Sequence, residues 1–177
     1  MNQDTFMEVM VKRDPTLATQ LKKCAILLVA LMIAAVCIVF LASQYLNVLA
    51  AALLVGTGWI AFLLIRLQNV EYEYIITNGE MDIDKIEGKS KRKRLATVEL
   101  SAFSSFAPMD PQKPVPTEGK TKILAAKNMK STSTYVAELK HKELGDCVLY
   151  FTPDEKMIEC IERERKFKRV YVPSMGK

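Results

Sequence analysis

The sequence predicts an α+β chain: an apolar helical hairpin near the N-terminus, then an antiparallel β-domain closed by an amphipathic helix. Three observations carry this. Residues 24–65 hold no charged side chain, although the chain of 177 residues has a net charge of +5. "VEYEYIITNGEMDIDKI" alternates apolar and polar residues on both sides of Asn78-Gly79, the pattern of two strands joined by a turn whose central residues need positive φ. "TPDEKMIECIERERKF" opens with helix-starting residues and then repeats apolar side chains at helical spacing.

The uncharged zone comes first. Cys24 to Ala42 is an apolar run of 19 residues and Val48 to Ile65 a second of 18. As helices they are about 28 and 27 Å long, close to the roughly 30 Å of a bilayer's hydrocarbon. "SQYLN", Ser43 to Asn47, joins them. The expectation is two antiparallel membrane-spanning helices. Lys12, Arg13, Lys22 and Lys23 precede the first run, Arg66 closes the second, and the connecting loop has no cation. The positive-inside rule then places both termini in the cytoplasm. The chain divides into a cytoplasmic N-terminal segment (1–23), the hairpin (24–65) and a cytoplasmic domain (66–177), a multi-pass protein of the cell membrane.

Within the runs, Ala30 and Ala34, and Ala52 and Gly56, are spaced four apart, so backbones can approach closely there. They are candidates for packing the hairpin on itself or on a second copy in a homo-oligomer. Neither run carries an ionisable group other than a thiol, which disfavours ion-coupled transport. Trp59 and Tyr45 read as lipid contacts or interfacial anchors.

The N-terminal segment carries Thr5-x-x-Glu8, with Phe6, Val9, Met10 and Arg13 at helical spacing. It predicts a short amphipathic helix from Phe6 to Arg13. That helix either lies on the inner membrane surface, with Lys12 and Arg13 near the headgroups, or docks on the cytoplasmic domain. Thr16 then restarts a helix.

In the cytoplasmic domain, Val70, Tyr72, Tyr74 and Ile76 form an inner face, and Met81 and Ile83 return along it. "EGKSKRKRL" follows, with five cations in the six positions Lys89 to Arg94. A loop over Glu87 to Lys91 places Ile83 opposite Leu95 inside and Asp84 opposite Arg94 outside. Arg92 and Arg94 then offset the crowded carboxylates Glu73, Asp82 and Asp84. Lys89, Lys91 and Lys93 remain for contact with anionic lipid.

Further strands are expected around Ser104 to Pro108, in "KILAAKNM", in "STYVAELKH" and in "CVLYF", with a proline-rich loop over Pro108 to Lys122. Thr152 caps a helix running from Pro153 to about Phe167, with Thr152-x-x-Glu155 as a capping box, and "RVYVP" is a tail.

No catalytic, cofactor or metal residue is predicted. His141 is the single histidine, and Cys24, Cys37, Cys147 and Cys160 form no C-x-x-C pair, which argues against zinc. Glu80, Asp82 and Asp84 share a strand face and read as solvated carboxylates beside Arg94. Ser101, Ser104 and Ser105 have no recognisable histidine partner. The mixed charge does not suit nucleic acid.

"EYEYIITNGEMDIDKIEGKSKRKRL" resembles the opening of bacterial PH-like domains that follow a pair of membrane helices. The layout of the chain is similar to that of an uncharacterised family of small membrane proteins from Gram-positive bacteria. The resemblance implies an antiparallel PH-like β-barrel or sheet with a C-terminal helix, and no known activity. Lipid-binding PH domains hold phosphoinositides over a cation-rich loop between their first two strands. Here that loop is Asn78-Gly79, without a cation. The expected role is a membrane-tethered, non-enzymatic interaction or scaffold module for an unknown protein partner. The alternatives are an electrostatic sensor of anionic lipid and an accessory subunit of a membrane enzyme or transporter.

Overall fold

The computed structural model describes residues 6–41, 47–110, 112, 115–129 and 131–171. The expectations for Thr5, for the loop residues 43–46 with Tyr45, and for the tail beyond Tyr171 lie outside these residues. The chain forms two compact units. One holds Pro15–Val70 and the turn Glu87–Ser90; the other holds the chain up to Asp14, Glu71–Ile86 and everything from Lys91.

The first unit is built on two helices, α1 (Leu17–Leu41) and α2 (Asn47–Leu67). Both are long and apolar enough to cross a membrane, and only 6% of the most apolar window of each is buried. Pro15 stops the preceding segment. The Thr16 hydroxyl then accepts from the Thr19 amide at 3.3 Å, capping α1. This start is seven residues before the apolar run. Cys37, Ala50 and Ala61 are the buried residues of the pair. Ala30 and Ala34 are half-buried on the same stripe of α1 as Cys37, and Leu54 and Thr57 lie between Ala50 and Ala61 on α2. Ala52 on α2 is exposed, and a Cβ on Gly56 would meet nothing within 4 Å, so of the two alternatives for this pair packing within the hairpin is not the one seen. The packing stripe of α2 is Ala50, Leu54, Thr57 and Ala61, set by a seven-residue spacing that contains only two small side chains.

The second unit holds two four-stranded sheets. The first has the order β1 (Phe6–Lys12), β2 (Val70–Thr77), β3 (Glu80–Glu87), β4 (Lys91–Glu99). The second has the order β5 (Phe103–Pro108), β7 (Tyr135–His141), β8 (Gly145–Phe151), β6 (Thr121–Leu124). These sheets do not close into one barrel, and β6 runs parallel to β8, so the second sheet is mixed rather than wholly antiparallel. The expected strands are all present, though of "KILAAKNM" only Lys122 to Leu124 belong to β6 (Thr121–Leu124).

The N-terminal segment is a strand and not a helix. Phe6 to Lys12 pairs antiparallel with β2, Val9 opposite Tyr74 and Lys12 opposite Glu71. Its side chains alternate, with Met7, Val9 and Val11 half-buried and Phe6, Glu8, Met10 and Lys12 exposed. "FMEVMVK" fits either period. The open edge of β2 offers a ladder of backbone hydrogen bonds, which a helix of eight residues cannot match because nucleation is costly. Docking on the domain is thus the alternative realised, and Phe6 and Met10 are not the buried face.

Asn78 and Gly79 both have positive φ, 49° and 87°, as a type I′ turn requires. Tyr72, Tyr74, Ile76, Met81 and Ile83 are buried as the alternation predicts. The Tyr74 hydroxyl donates to the Ala125 carbonyl and accepts from the Thr152 amide, tying β2 to the ends of β6 and β8. Burial pushes this phenol well above its ordinary value, so it stays a neutral donor. Thr152 is therefore not the helix cap; its hydroxyl accepts from the Lys127 amide at 3.0 Å. Asp154 caps α3 (Glu155–Tyr171), accepting from Met157 N at 2.8 Å. Met157, Cys160 and Ile161 are buried. The helix continues through Tyr171, so the segment expected as a tail forms its last turn.

Because β1 is held by ladder hydrogen bonds, Val9→Pro should remove one of its backbone donors and the packing opposite Tyr74. The expected loss is about 1–3 kcal/mol in chemical unfolding. A change at an exposed position away from this pairing, such as Glu143→Gln, should stay within about 0.5 kcal/mol.

Candidate functional site

The basic run begins in a turn and continues as a strand. Gly88 and Lys89 both have φ of 59°, and Ser90 N donates to Glu87 O at 3.2 Å. The connection is thus a tight turn rather than a five-residue loop, and Lys91 to Arg94 belong to β4. Arg92 reaches Glu73 at 2.5 Å and Asp84 at 3.7 Å. Arg94 pairs with Asp84 through Nε and with Asp82 at 2.6 Å. The Asp82 carboxylate also accepts from the Thr97 hydroxyl, at 2.6 Å. The carboxylate side chains of Glu73 and Asp84 are only 3% and 2% exposed, whereas those of Arg92 and Arg94 are about half exposed. The arginines form the solvent side of this network and the acids its floor.

The arginines thus act as the counter-charges that the strand pairing requires. Ala96 and Val98 are buried, and Leu95 is only half-buried, so Leu95 does not take the inner place expected for it. One end of β4 holds the ion pairs and the other the core residues.

Within the helical unit, the turn is fixed to the C-terminal end of α2. Gly88 N donates to Asn69 O at 2.9 Å, and Arg66 Nε donates to Gly88 O at 3.0 Å. Lys23 Nζ, from α1, donates to Asn69 Oδ1 at 3.0 Å. A Cβ on Gly88 would lie 3.2 Å from Leu67 Cα and 3.3 Å from Arg66 O, so glycine is required here both for space and for φ. This attachment gathers Lys23, Arg66 and the turn with Lys89 at one end of the hairpin, which neither the turn nor the helix sequence reveals alone. Lys12 ends β1 opposite Glu71, and Arg13 follows it. Lys91 and Lys93 are exposed on β4.

A cleft of about 530 Å³ lies beside the C-terminal half of β4, lined by Leu95, Thr97, Leu139, His141 and Leu144 among others. His141 Nδ1 accepts from the amides of Glu143 and Leu144 at 3.1 and 3.2 Å. Its Nε2 therefore carries the proton and donates to Thr97 O at 3.1 Å. The histidine is a backbone-bound latch between β7 and β4, and sequence reading missed it because its partners are main-chain groups. The Ser104 hydroxyl donates to Glu138 O. Among the described residues no group of three or more His, Cys, Asp or Glu is arranged to hold a metal ion.

Two outcomes follow for the ion-pair network. Arg94→Met should cost about 2 kcal/mol in chemical unfolding, because it leaves the buried Asp84 without its closest cation, while Lys91→Ala should be near neutral. Burial holds the Glu73 carboxyl above its ordinary range; Arg92 opposes this and neighbouring Glu8 adds to it. A carboxyl raised on folding binds its proton more tightly in the native state. Its contribution is therefore most favourable at acid pH and is lost as pH rises from the unfolded value of 4.5 through the folded one. Glu73→Gln should remove this component, seen as a smaller fall in melting temperature between pH 4.5 and 7.

Comparison with curated proteins and with solved structures gave no match. Residues 3–171 match the family model described as bacterial PH-like domain (DUF6106), and the chain belongs to that family.

Proposed function

We propose that the protein is a membrane-tethered interaction module without an enzymatic role of its own. In this reading α1 and α2 anchor the chain as an antiparallel hairpin, and both termini lie in the cytoplasm. The observation that carries it is the exposure of α1 and α2 on nearly all sides. Residues such as Leu28, Met32, Val39, Val55 and Trp59 are more than half exposed, at 62–73%, and a hydrocarbon environment would cover them. Ala52 and Gly56, which face away from α1, are then available to a second copy. The PH-like domain supports a binding role, and its acids and arginines are spent on each other.

A second reading is favoured by one specific observation. The attachment of Gly88 to Asn69 and Arg66 keeps Lys89 at the end of the hairpin that also carries Lys22, Lys23 and Arg66. Were this end at the inner leaflet, these cations would meet anionic headgroups, each worth about 1 kcal/mol. An accessory role beside a membrane enzyme or transporter has no such observation behind it.

The test is made on the intact chain. Alkaline carbonate should leave the protein in the membrane fraction; release into the supernatant would sink the tethering. A fluorophore at Lys89→Cys, in a background without the native cysteines, should be quenched by headgroup-labelled lipid in anionic nanodiscs. That quenching should weaken at 1 M salt, where the screening length falls to about 3 Å. Quenching that ignores both salt and lipid charge would remove the electrostatic reading while leaving the tether.

A further inference from the structure

We propose that the outer edge of β4 is a docking site for an extended acidic segment of a partner protein, which adds to the first sheet as another strand. This rests on the interaction-module reading above and names the chemistry of the partner.

The first support is topological. β4 ends the order β1-β2-β3-β4, and the last strand of a sheet presents the backbone N–H and C=O groups of alternate residues outward. One of these is already seen in use. The Thr97 carbonyl accepts from His141 Nε2, so an imidazole N–H stands where an added strand would place an amide.

The second support is charge. Lys91 and Lys93 are exposed and make no ion pair among the described residues, in contrast to Arg92 and Arg94 beside them. A second copy pairing over Lys91 to Arg94 would oppose these cations with the same cations, which is unfavourable. An incoming strand with carboxylates at alternate positions would meet them favourably, adding specificity to the main-chain hydrogen bonds.

The third support is the cleft at the other end of the strand. Leu95, Leu139 and Leu144 line it, and Leu144 is 40% exposed. An apolar side chain beyond the acidic stretch would fill it. The segment expected is therefore extended, acidic at one end and apolar at the other.

The experiment uses the full chain in zwitterionic nanodiscs and a fluorescent peptide of sequence Glu-Val-Glu-Val-Glu-Val-Leu, capped at both ends. The acidic peptide should bind saturably, and a counterpart with lysine for glutamate should not. The double variant Lys91→Glu/Lys93→Glu should lose about tenfold or more in affinity for the acidic peptide and gain affinity for the basic one. Lys91→Gln/Lys93→Gln gives the same loss without reversal should the glutamate pair fail to fold. His141→Ala should strengthen binding, since it releases the Thr97 carbonyl. Equal binding of both peptides, or an acidic peptide indifferent to both double variants, would overturn the proposal. So would an effect of the variants seen only with anionic lipid, which would assign Lys91 and Lys93 to the membrane. Affinity purification from membranes separates the two levels. A protein recovered equally by the wild type and by Lys91→Glu/Lys93→Glu, with no peptide binding, keeps the interaction module and removes the β4 edge. Recovery of no protein, together with no peptide binding, removes both.

Discussion

The arrangement of the first sheet depends on two carboxylates that fold into a nearly closed environment. Glu73 and Asp84 sit on neighbouring strands, each almost fully buried. Side by side they would repel, and an unpaired buried charge is costly. Arg92 and Arg94 resolve both problems from β4. Their long stems let the charge reach inward while the guanidinium keeps contact with water. Beyond the ion pairs, Ala96 and Val98 carry the same strand into the core.

The helical unit has a constraint of its own at the turn Gly88-Lys89. Only glycine can lie against Leu67 and Arg66 there. Just past the end of α2, Asn69 O accepts from Gly88 N, and Gly88 O accepts from the Arg66 side chain through Nε. The segment that follows a helix and a hairpin turn thus satisfy polar groups of each other. The basic run "KSKRKR" thus divides three ways. Lys89 belongs to the turn, Arg92 and Arg94 to the ion pairs, and Lys91 and Lys93 remain exposed on the edge strand.

The same economy holds at the other polar positions. Tyr74 is buried with its hydroxyl bridging Ala125 O and Thr152 N, so one side chain of the first sheet is tied to the ends of two neighbouring strands of the second. His141 uses both ring nitrogens on main-chain groups. Both polar side chains thereby serve as main-chain ties between distant segments.

The sequence by itself determined the two apolar helices, the Asn78-Gly79 hairpin, the inner faces of β2 and β3, the arginine counter-charges and the amphipathic C-terminal helix. Each rests on a local period, a turn requirement or a charge pattern within some twenty residues, and each survives in any packing. Only the tertiary structure decided that Phe6 to Lys12 is a strand, because its pattern fits two periods and the choice lay with the distant edge of β2. It also set Ala50 and Ala61 as the buried residues of α2, gave the helix cap to Asp154 rather than Thr152, and paired β6 parallel to β8. At each of these positions the winning contact is a backbone or packing partner remote in sequence, and periodicity carries no information about it. The cleft beside Thr97 belongs with them: its latch joins His141 to a carbonyl forty-four residues away, and no side-chain pattern marks a carbonyl.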